Sequence, residues 1–512
     1  MSAVIHHNDE IQYTNQKTQF LSDEVLTECA KLFSSNYGNY SEYSDIRPGQ
    51  NVRLSASYYK NHYCTPDFSV ALARKAGRII GQAFYIRKSY KNIGIMTWVV
   101  QLVVDKNYRQ RGIASTLLRS IWGFSDDYAW GLATANPCTV KTLEAATFRE
   151  CRSEIIVDHI DDIEMISMDI GFAKEGVIEI SADSSQINSH FSVDNSGYSG
   201  IDECELKLGK LKPGREWIAF VFQDQKVDVD RYKRSFNELI DFSEMQLKEA
   251  YSRMNMESHA WAKGSSAEID FILGKIHIND HSTAVDLGCG IGRHSIEMAR
   301  RGLKVLSYDY SETNIIKAKK NATEQGIDGC SFYCADIREL KETNYADLVI
   351  SLYDVIGSYP SQADNIKIIQ KAYEILAPDG YFVASVMNME LTEHLVPESQ
   401  KGILSEDPEI LLDLKPGNVM QSTGDIFNPE YLAIDTRDGL VYRKEQFGED
   451  EMLPAEFVIR DKRYRMNEII DLVKNVGFCI EDCRFVRAGH FDEPLGPTDP
   501  HAKEIVLIAK KQ

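Results

Sequence analysis

The sequence predicts an α/β chain of several domains, and three observations carry that expectation. The first is size: 512 residues, 43% of them hydrophobic, are enough to build more than one core. The second is a regular alternation of apolar strand-like runs and amphipathic helical runs from Thr283 onward, the pattern of a doubly wound parallel sheet. The third is a change of texture along the chain. Residues 1–155 read as a mixed α/β domain, 156–231 as a small β-rich connecting domain, and 232–512 as the doubly wound domain.

Each element has its own signal. Leu21, Val25, Leu26, Cys29 and Leu32 recur at helical spacing, so Leu21–Phe33 is expected to be a helix. Phe68–Ala73 and Arg78–Ile86 flank Lys75–Gly77 as a hairpin, and Trp98–Val104 follows as a third strand. Ile113–Trp122 reads as a helix, Leu132–Ala135 as a short strand and Val140–Thr147 as a second helix. From Ser153 to about Val229, strand-like runs such as Glu216–Phe222 alternate with polar turns. Phe236–Met254 is amphipathic and helical. Strands are then expected at Thr283–Leu287, Lys304–Tyr308, Ser331–Cys334, Leu348–Leu352, Tyr381–Val386 and Ile505–Ala509. Helices should begin near His294, Thr313, Asn365 and Met466. Met389–Asp461 breaks the alternation with polar, strand-rich sequence, as a lid over the sheet's carboxyl edge would.

Charge and cysteines narrow the classes of function. Lys and Arg total 57 against 77 Asp and Glu, a net charge of −20 that repels phosphate backbones and favours a small-molecule substrate over nucleic acid. No apolar run reaches the roughly 18 residues that span a bilayer, and Met1–Phe20 lacks the apolar centre of a signal peptide. The ten cysteines include close pairs at Cys330/Cys334 and Cys479/Cys483 without a companion His or Cys set. They are expected to be free thiols in a reducing cytoplasm, with no metal site.

Two motifs carry chemistry. The first is Asp286-Leu287-Gly288-Cys289-Gly290-Ile291-Gly292, which leaves a predicted strand and opens a helix. Three glycines permit a tight turn and let a ligand lie against bare backbone. Asp309 ends the next strand, where a carboxylate can accept two ribose hydroxyls, and Asp336 ends the third, where it can accept an adenine amino group. Together these residues resemble the class I S-adenosylmethionine (SAM)-dependent methyltransferases, with support from Tyr308-Asp309-Tyr310-Ser311 and the turn Leu376-Ala377-Pro378-Asp379-Gly380. The resemblance spans roughly Tyr232–Gln512. It implies a Rossmann-like sheet, a methionine moiety flanked by Gly288 and Gly290 near Asp286, ribose on Asp309 and adenine on Asp336. Tyr353 and Asp354, after the fourth strand, either orient and deprotonate an acceptor or respectively pack and cap a turn. No Asn-Pro-Pro-Tyr sequence occurs there, which disfavours the amino-methylating enzymes that use it. His294, after the Gly-rich loop, either reaches the active site or, as helix-start histidines more often do, sits at the surface or caps the helix.

The second motif is Val104-Asp105-Lys106-Asn107-Tyr108-Arg109-Gln110-Arg111-Gly112-Ile113-Ala114, which runs from strand through loop to helix start. Arg109-x-x-Gly112-x-Ala114 lets successive amides point at an anion beside a helix N-terminus. This segment, with Thr134-Ala135-Asn136-Pro137 and Phe148-Arg149, resembles the GCN5-related N-acetyltransferases over about Ile11–Cys151. The resemblance implies acetyl-CoA as cofactor, contacted by Val104, Arg109, Arg111, Gly112 and Ala114, with Asn136 near the pantetheine arm. Two positions depart from the family. Leu143 stands where many members carry a proton-donating Tyr, and Gln101 where many carry a Glu. Neither side chain can move a proton.

The expectation is therefore a cytoplasmic two-headed transferase that methylates, and also N-acetylates, a small metabolite or its pathway products. The competing expectation is a methyltransferase of protein or nucleic acid in which a degenerate acetyltransferase-like domain recognises the target. A non-enzymatic nucleoside sensor is the third.

Overall fold

The computed structural model describes residues 11–42, 44, 47–189, 193–194, 205–279, 281–341, 343–422, 424–446 and 456–512. The described residues divide into two compact units, one lying within 11–236 together with 456–457, the other within 237–446 together with 458–512.

The first unit is built on β1 (Gln12–Lys17), β2 (Phe68–Lys75), β3 (Arg78–Tyr90), β4 (Gly94–Val104), β5 (Ala129–Thr134), β6 (Val177–Ser181), β7 (Ser184–Asn188) and β8 (Glu216–Phe222). They form one sheet in the order β1-β2-β3-β4-β5-β8-β7-β6. Its helices are α1 (Asp23–Asn36), α2 (Ala56–His62), α3 (Ile113–Trp122), α4 (Pro137–Thr147), α5 (Ser153–Ile156), α6 (Ile160–Ser167) and α7 (Gly171–Glu175). The β2–β3 turn takes positive φ at Ala76 (49°) and Gly77 (78°), the twist-matched geometry of a tight hairpin. Leu26, Phe33 and Tyr59 of α1 and α2 pack with Phe84 of β3. A side chain at Gly81 would meet Leu117 and Ile113 of α3 at 3.0 and 3.1 Å. Neighbouring residues point to opposite faces of a strand, so α3 lies across the sheet from Gln82 and its partner Tyr59.

The stretch set apart by sequence as β-rich, 156–231, begins with helices and supplies β6–β8 to this same sheet. Every residue of β8 is buried, which suits a strand flanked on both edges, by β5 and by β7. β4 and β5 are parallel but paired only over Met96–Val99 and Ala129–Leu132. A register shift between β3 and β4 at Phe84/Tyr85 leaves Val100 as the extra residue, and pairing with β5 ends there.

The chain passes into the second unit through α8 (Val229–Arg253) and continues with α9 (Ser265–Lys275). Then come β9 (Thr283–Leu287), α10 (Arg293–Arg300), β10 (Lys304–Asp309), α11 (Glu312–Glu324), β11 (Cys330–Cys334), β12 (Ala346–Ser351), α12 (Gln362–Ile375) and β13 (Leu376–Met387). α13 (Met389–Leu395), β14 (Lys401–Gly402), α14 (Glu409–Asp413), β15 (Leu432–Asp435), β16 (Leu440–Gln446) and β17 (Glu456–Lys462) follow. α15 (Met466–Val476), β18 (Phe478–Arg487), β19 (His490–Leu495) and β20 (Glu504–Lys511) complete it.

The main sheet runs β11-β10-β9-β12-β13-β20-β18-β19. Its first five strands are parallel, as expected. The last part is not: β20 is antiparallel to both β13 and β18, and β19 is antiparallel to β18. Adjacent strands joined without a crossover helix must reverse direction, and no helix separates β18 from β20. Within Met389–Asp461 lies a second, four-stranded sheet, β14-β15-β16-β17. Among the described residues no helix is long and apolar enough to cross a membrane, and no cluster of three or more metal-ligating side chains occurs.

Candidate functional site

In the second unit, β9 ends at Leu287 and the chain turns through Gly288 (φ 82°), Gly290 (φ 53°) and Gly292 (φ 82°), conformations that L side chains resist. The N–H groups of Gly288 and Cys289 donate to the Tyr308 carbonyl at 2.8 and 3.0 Å, pinning this loop to β10. Asp309 completes the tie. Its two carboxylate oxygens accept the N–H of Gly290 at 2.9 Å and of Ser311 at 2.8 Å. The Asn314 side chain adds a third donor, and a carboxylate, with about four acceptor positions, still has room for a ribose hydroxyl. Burial lifts the Asp309 pKa above the ordinary carboxylate value.

The loop is tight on one side and soft on another. A Cβ at Gly288 would fall 2.4 Å from Val355 Cγ2, and one at Gly292 2.8 Å from the Phe332 ring. At Gly290 it would meet only Met256 Sδ, at 3.3 Å. Behind the loop Asp286 is buried, accepts the Ser295 hydroxyl at 2.5 Å, and is pushed up by burial to a pKa of about 6. Asp336 accepts the backbone N–H of Arg338 at 3.0 Å and its guanidinium at 2.6 Å, which holds this carboxyl below its ordinary range. Arg338 also pairs with Asp364 at 3.1 Å and lies 4.3 Å over the Tyr359 ring.

After β12, Tyr353 and Asp354 both take φ 61°, a strained conformation for residues with side chains. The Tyr353 N–H donates to Ser385 Oγ at 2.8 Å, and its hydroxyl donates to Glu268. Glu268 is completely buried, and its pKa falls to about 2 as donors overcome its desolvation. It also takes the Gly489 N–H at 2.7 Å, His294 Nε2 at 2.6 Å and the Arg293 guanidinium at 3.4 Å. Arg293 sits 4.0 Å over the Tyr353 ring. The surface reading of His294 is thus corrected: it is buried, and burial pushes its pKa down to about 4, so it is neutral at pH 7. Its neighbour across the fold, Glu268, carries no sequence motif. The one available signal was an acid among the apolar residues Ile269 and Ile272.

Asp354 Oδ1 is enclosed without a hydrogen-bond partner. Burial and the nearby Asp461 carboxylate drive its pKa well above the carboxylate range, against the pull of Arg463 and Arg443. Asp461 on β17 is itself paired with Arg463 at 2.9 Å. The insertion therefore brings its own charges to the carboxyl end of β12.

In the first unit, Gly112 begins α3 at φ 75° without a side-chain cap, and a Cβ there would meet nothing within 4 Å. Arg109 folds back, donating to the Asn36 carbonyl at 2.5 Å and the Val104 carbonyl at 3.3 Å. Arg111 lies 5.4 Å over the Tyr108 ring, and Ala114 follows in the first turn of α3. The Asn136 side chain caps α4, accepting the Cys138 N–H at 2.9 Å. Leu143 is wholly buried. Gln101 accepts from the Tyr59 hydroxyl at 2.5 Å and from Gln82 Nε2 at 2.7 Å, a buried neutral network.

Known proteins bear on the second unit. A family model described as a methyltransferase domain matches residues 278–426. Residues 278–426 form a class I SAM-dependent methyltransferase domain. Over 110 residues the chain is 33% identical to a ubiquinone biosynthesis O-methyltransferase of Parvibaculum lavamentivorans, covering 22% of this chain and 42% of that protein. Over 55 residues it is 40% identical to a 23S rRNA (uracil(1939)-C(5))-methyltransferase of Shewanella amazonensis, covering 11% and 12%. The chain thus spans less than half the length of these curated relatives. Among solved structures, the CcbJ methyltransferase of Streptomyces caelestis is similar at 15% identity and a TM-score of 0.36, over 48% of this chain and 89% of that one. The methyltransferase domain contains Asp286, the three loop glycines, Asp309, Asp336, Tyr353 and Asp354, whereas Glu268 precedes it.

Proposed function

We propose that the chain transfers the methyl group of SAM to a small-molecule acceptor, and that its N-terminal unit binds acetyl-CoA and acetylates an amine of the same metabolite or of its pathway products. The observation that carries the methyl-transfer reading is the Gly290–Asp309 tie, which sets a buried carboxylate with acceptor capacity to spare beside a glycine-rich loop. In this reading Gly288 and Gly290 face the methionine part, Asp286 lies near its ammonium group, Asp309 holds the ribose and Asp336 the adenine. SAM supplies a methyl group already activated by its sulfonium. The chain has to position the acceptor in line and keep water out. Asp354 is the group placed to take or hold the acceptor's proton, since one of its oxygens is unpartnered. Tyr353 is not free for that task, because its hydroxyl is given to Glu268.

Two features support a small acceptor. A net charge of −20 repels a phosphate backbone, and the insertion sets Asp461 and Arg443 within electrostatic reach of Asp354, as a lid over an enclosed substrate would. The acetyl-CoA reading is supported by the uncapped, open start of α3 at Gly112 and by the early end of β4–β5 pairing, beyond which the two strands no longer hydrogen-bond to each other.

Calorimetric titration with each ligand tests both halves. SAM and acetyl-CoA should both bind, with Gly290→Arg abolishing only the first and Gly112→Glu only the second. SAM binding without acetyl-CoA binding would reduce the N-terminal unit to a recognition module. Absence of SAM binding would remove the methyl-transfer reading.

A further inference from the structure

Glu268 joins three segments of the second unit that are distant in sequence. It takes the Tyr353 hydroxyl from the turn after β12, His294 and Arg293 from the start of α10, and the Gly489 N–H from the β18–β19 turn. The packing around that last turn is close, with Gly264, just before α9, tolerating no Cβ because Gly489 Cα would lie 2.3 Å away. A buried carboxylate is costly unless donors surround it, and here they come from the helix start after the glycine loop, the turn after β12 and the β18–β19 turn.

Tyr353 is the sensitive member of the set. Its φ of 61° is disfavoured, and three restraints hold it: Ser385 at its N–H, Glu268 at its hydroxyl and Arg293 across its ring. Two residues later Val355 stands against Gly288 so closely that even a methyl group would not fit between them. A shift of Tyr353 is therefore passed to the wall of the glycine loop, since packed side chains cannot yield continuously.

We propose that Glu268 is a positioning residue for the methyl-donor site: it fixes Tyr353, and through it the Val355 wall of the Gly288 loop, without touching cofactor or acceptor. The inference rests on the reading of that loop as the SAM site. Its ionised state suits this role, because charge-assisted hydrogen bonds hold geometry more firmly than neutral ones.

The test is a double-mutant cycle read as SAM affinity by calorimetry, on the full chain, for wild type, Glu268→Gln, Tyr353→Phe and the double variant, with circular dichroism confirming each fold. Tyr353→Phe removes one hydroxyl and leaves the other donors of Glu268 in place. Each single variant is expected to weaken SAM about ten-fold, the scale of one charge-assisted hydrogen bond. The double variant should be no weaker than the worse single, because both remove one link. If Tyr353→Phe binds SAM like wild type, the coupling through Tyr353 is overturned whatever Glu268→Gln does, including a failure to fold. If wild type itself gives no binding heat, the cofactor reading fails first, and the inference falls with it.

Discussion

Replacing Gly288 by alanine should be far more damaging than the same change at Gly290, and the structure gives the size of the difference. At both positions φ is positive, which costs an L residue about 1–2 kcal/mol. At Gly288 the new methyl would also lie 2.4 and 2.9 Å from the two Val355 methyls and 3.3 Å from Val355 Cβ. Val is stiff about χ1, and the loop cannot retreat because the Gly288 N–H is held by the Tyr308 carbonyl. Overpacking of this kind adds about 1–3 kcal/mol, for a total of roughly 2–5 kcal/mol. At Gly290 the methyl meets only the Met256 thioether at 3.3 Å, a flexible group that can move aside. The assay is thermal unfolding of both variants beside wild type, following the transition that SAM shifts upward in wild type. Gly288→Ala should lower that midpoint by roughly 4–20 °C, and Gly290→Ala by clearly less. Equal midpoints for the two variants would refute the reasoning, since only the Val355 contact separates them.

Other consequences are open to equally direct measurement. Asp309→Asn replaces one of the two acceptors for the Gly290 and Ser311 N–H groups by a donor, so stability should fall by about 1.5–3 kcal/mol in urea unfolding and SAM binding should be lost. Asp286 has a raised pKa of about 6. In the cofactor-free protein, stability should therefore decline as pH rises from about 4 to 6. A cationic ammonium beside Asp286 favours the carboxylate, so SAM affinity should fall as pH drops through 6 and level off above 7; a flat calorimetric profile from pH 5 to 8 would contradict this. Arg109→Ala removes the ties to the Asn36 and Val104 carbonyls, and acetyl-CoA should bind about ten-fold more weakly. Lys511→Met strands the carbonyls of Tyr373 and Leu376, which Lys511 Nζ meets at 2.7 and 2.6 Å. Urea unfolding should show a loss of about 2–4 kcal/mol.

Sequence alone reached the elements that local patterns specify. β8 and β9 and α3 lie at the expected residues, because each is an uninterrupted apolar or amphipathic run with clear turn residues beside it. β1 escaped notice, since its sequence Gln12–Lys17 is polar and lies half-buried at a sheet edge, with no apolar alternation to detect. The segment at 153–175 was grouped with a stretch of strand-like runs and polar turns, yet it is helical, with Ile156, Ile163 and Ile166 buried in the core. The antiparallel direction of β20 is written nowhere in Glu504–Lys511. It follows from how the preceding strands connect. The glycine loop, Asp286 and Asp309 were legible since they adjoin one another in consecutive strand ends. Glu268, Asp461 and Arg443 were not, because they reach the site from segments far off in sequence. The surface reading of His294 failed for a related reason: its partner Glu268 lies 26 residues away.

The most direct test of the central claim is a crystal structure of the full chain with S-adenosylhomocysteine, the demethylated cofactor. The account predicts the ribose hydroxyls within about 2.6–3.0 Å of the Asp309 carboxylate and the amino-acid end against Gly288 and Gly290. Density for the ligand elsewhere, with Asp309 still bonded only to its protein donors Gly290, Ser311 and Asn314, would contradict it.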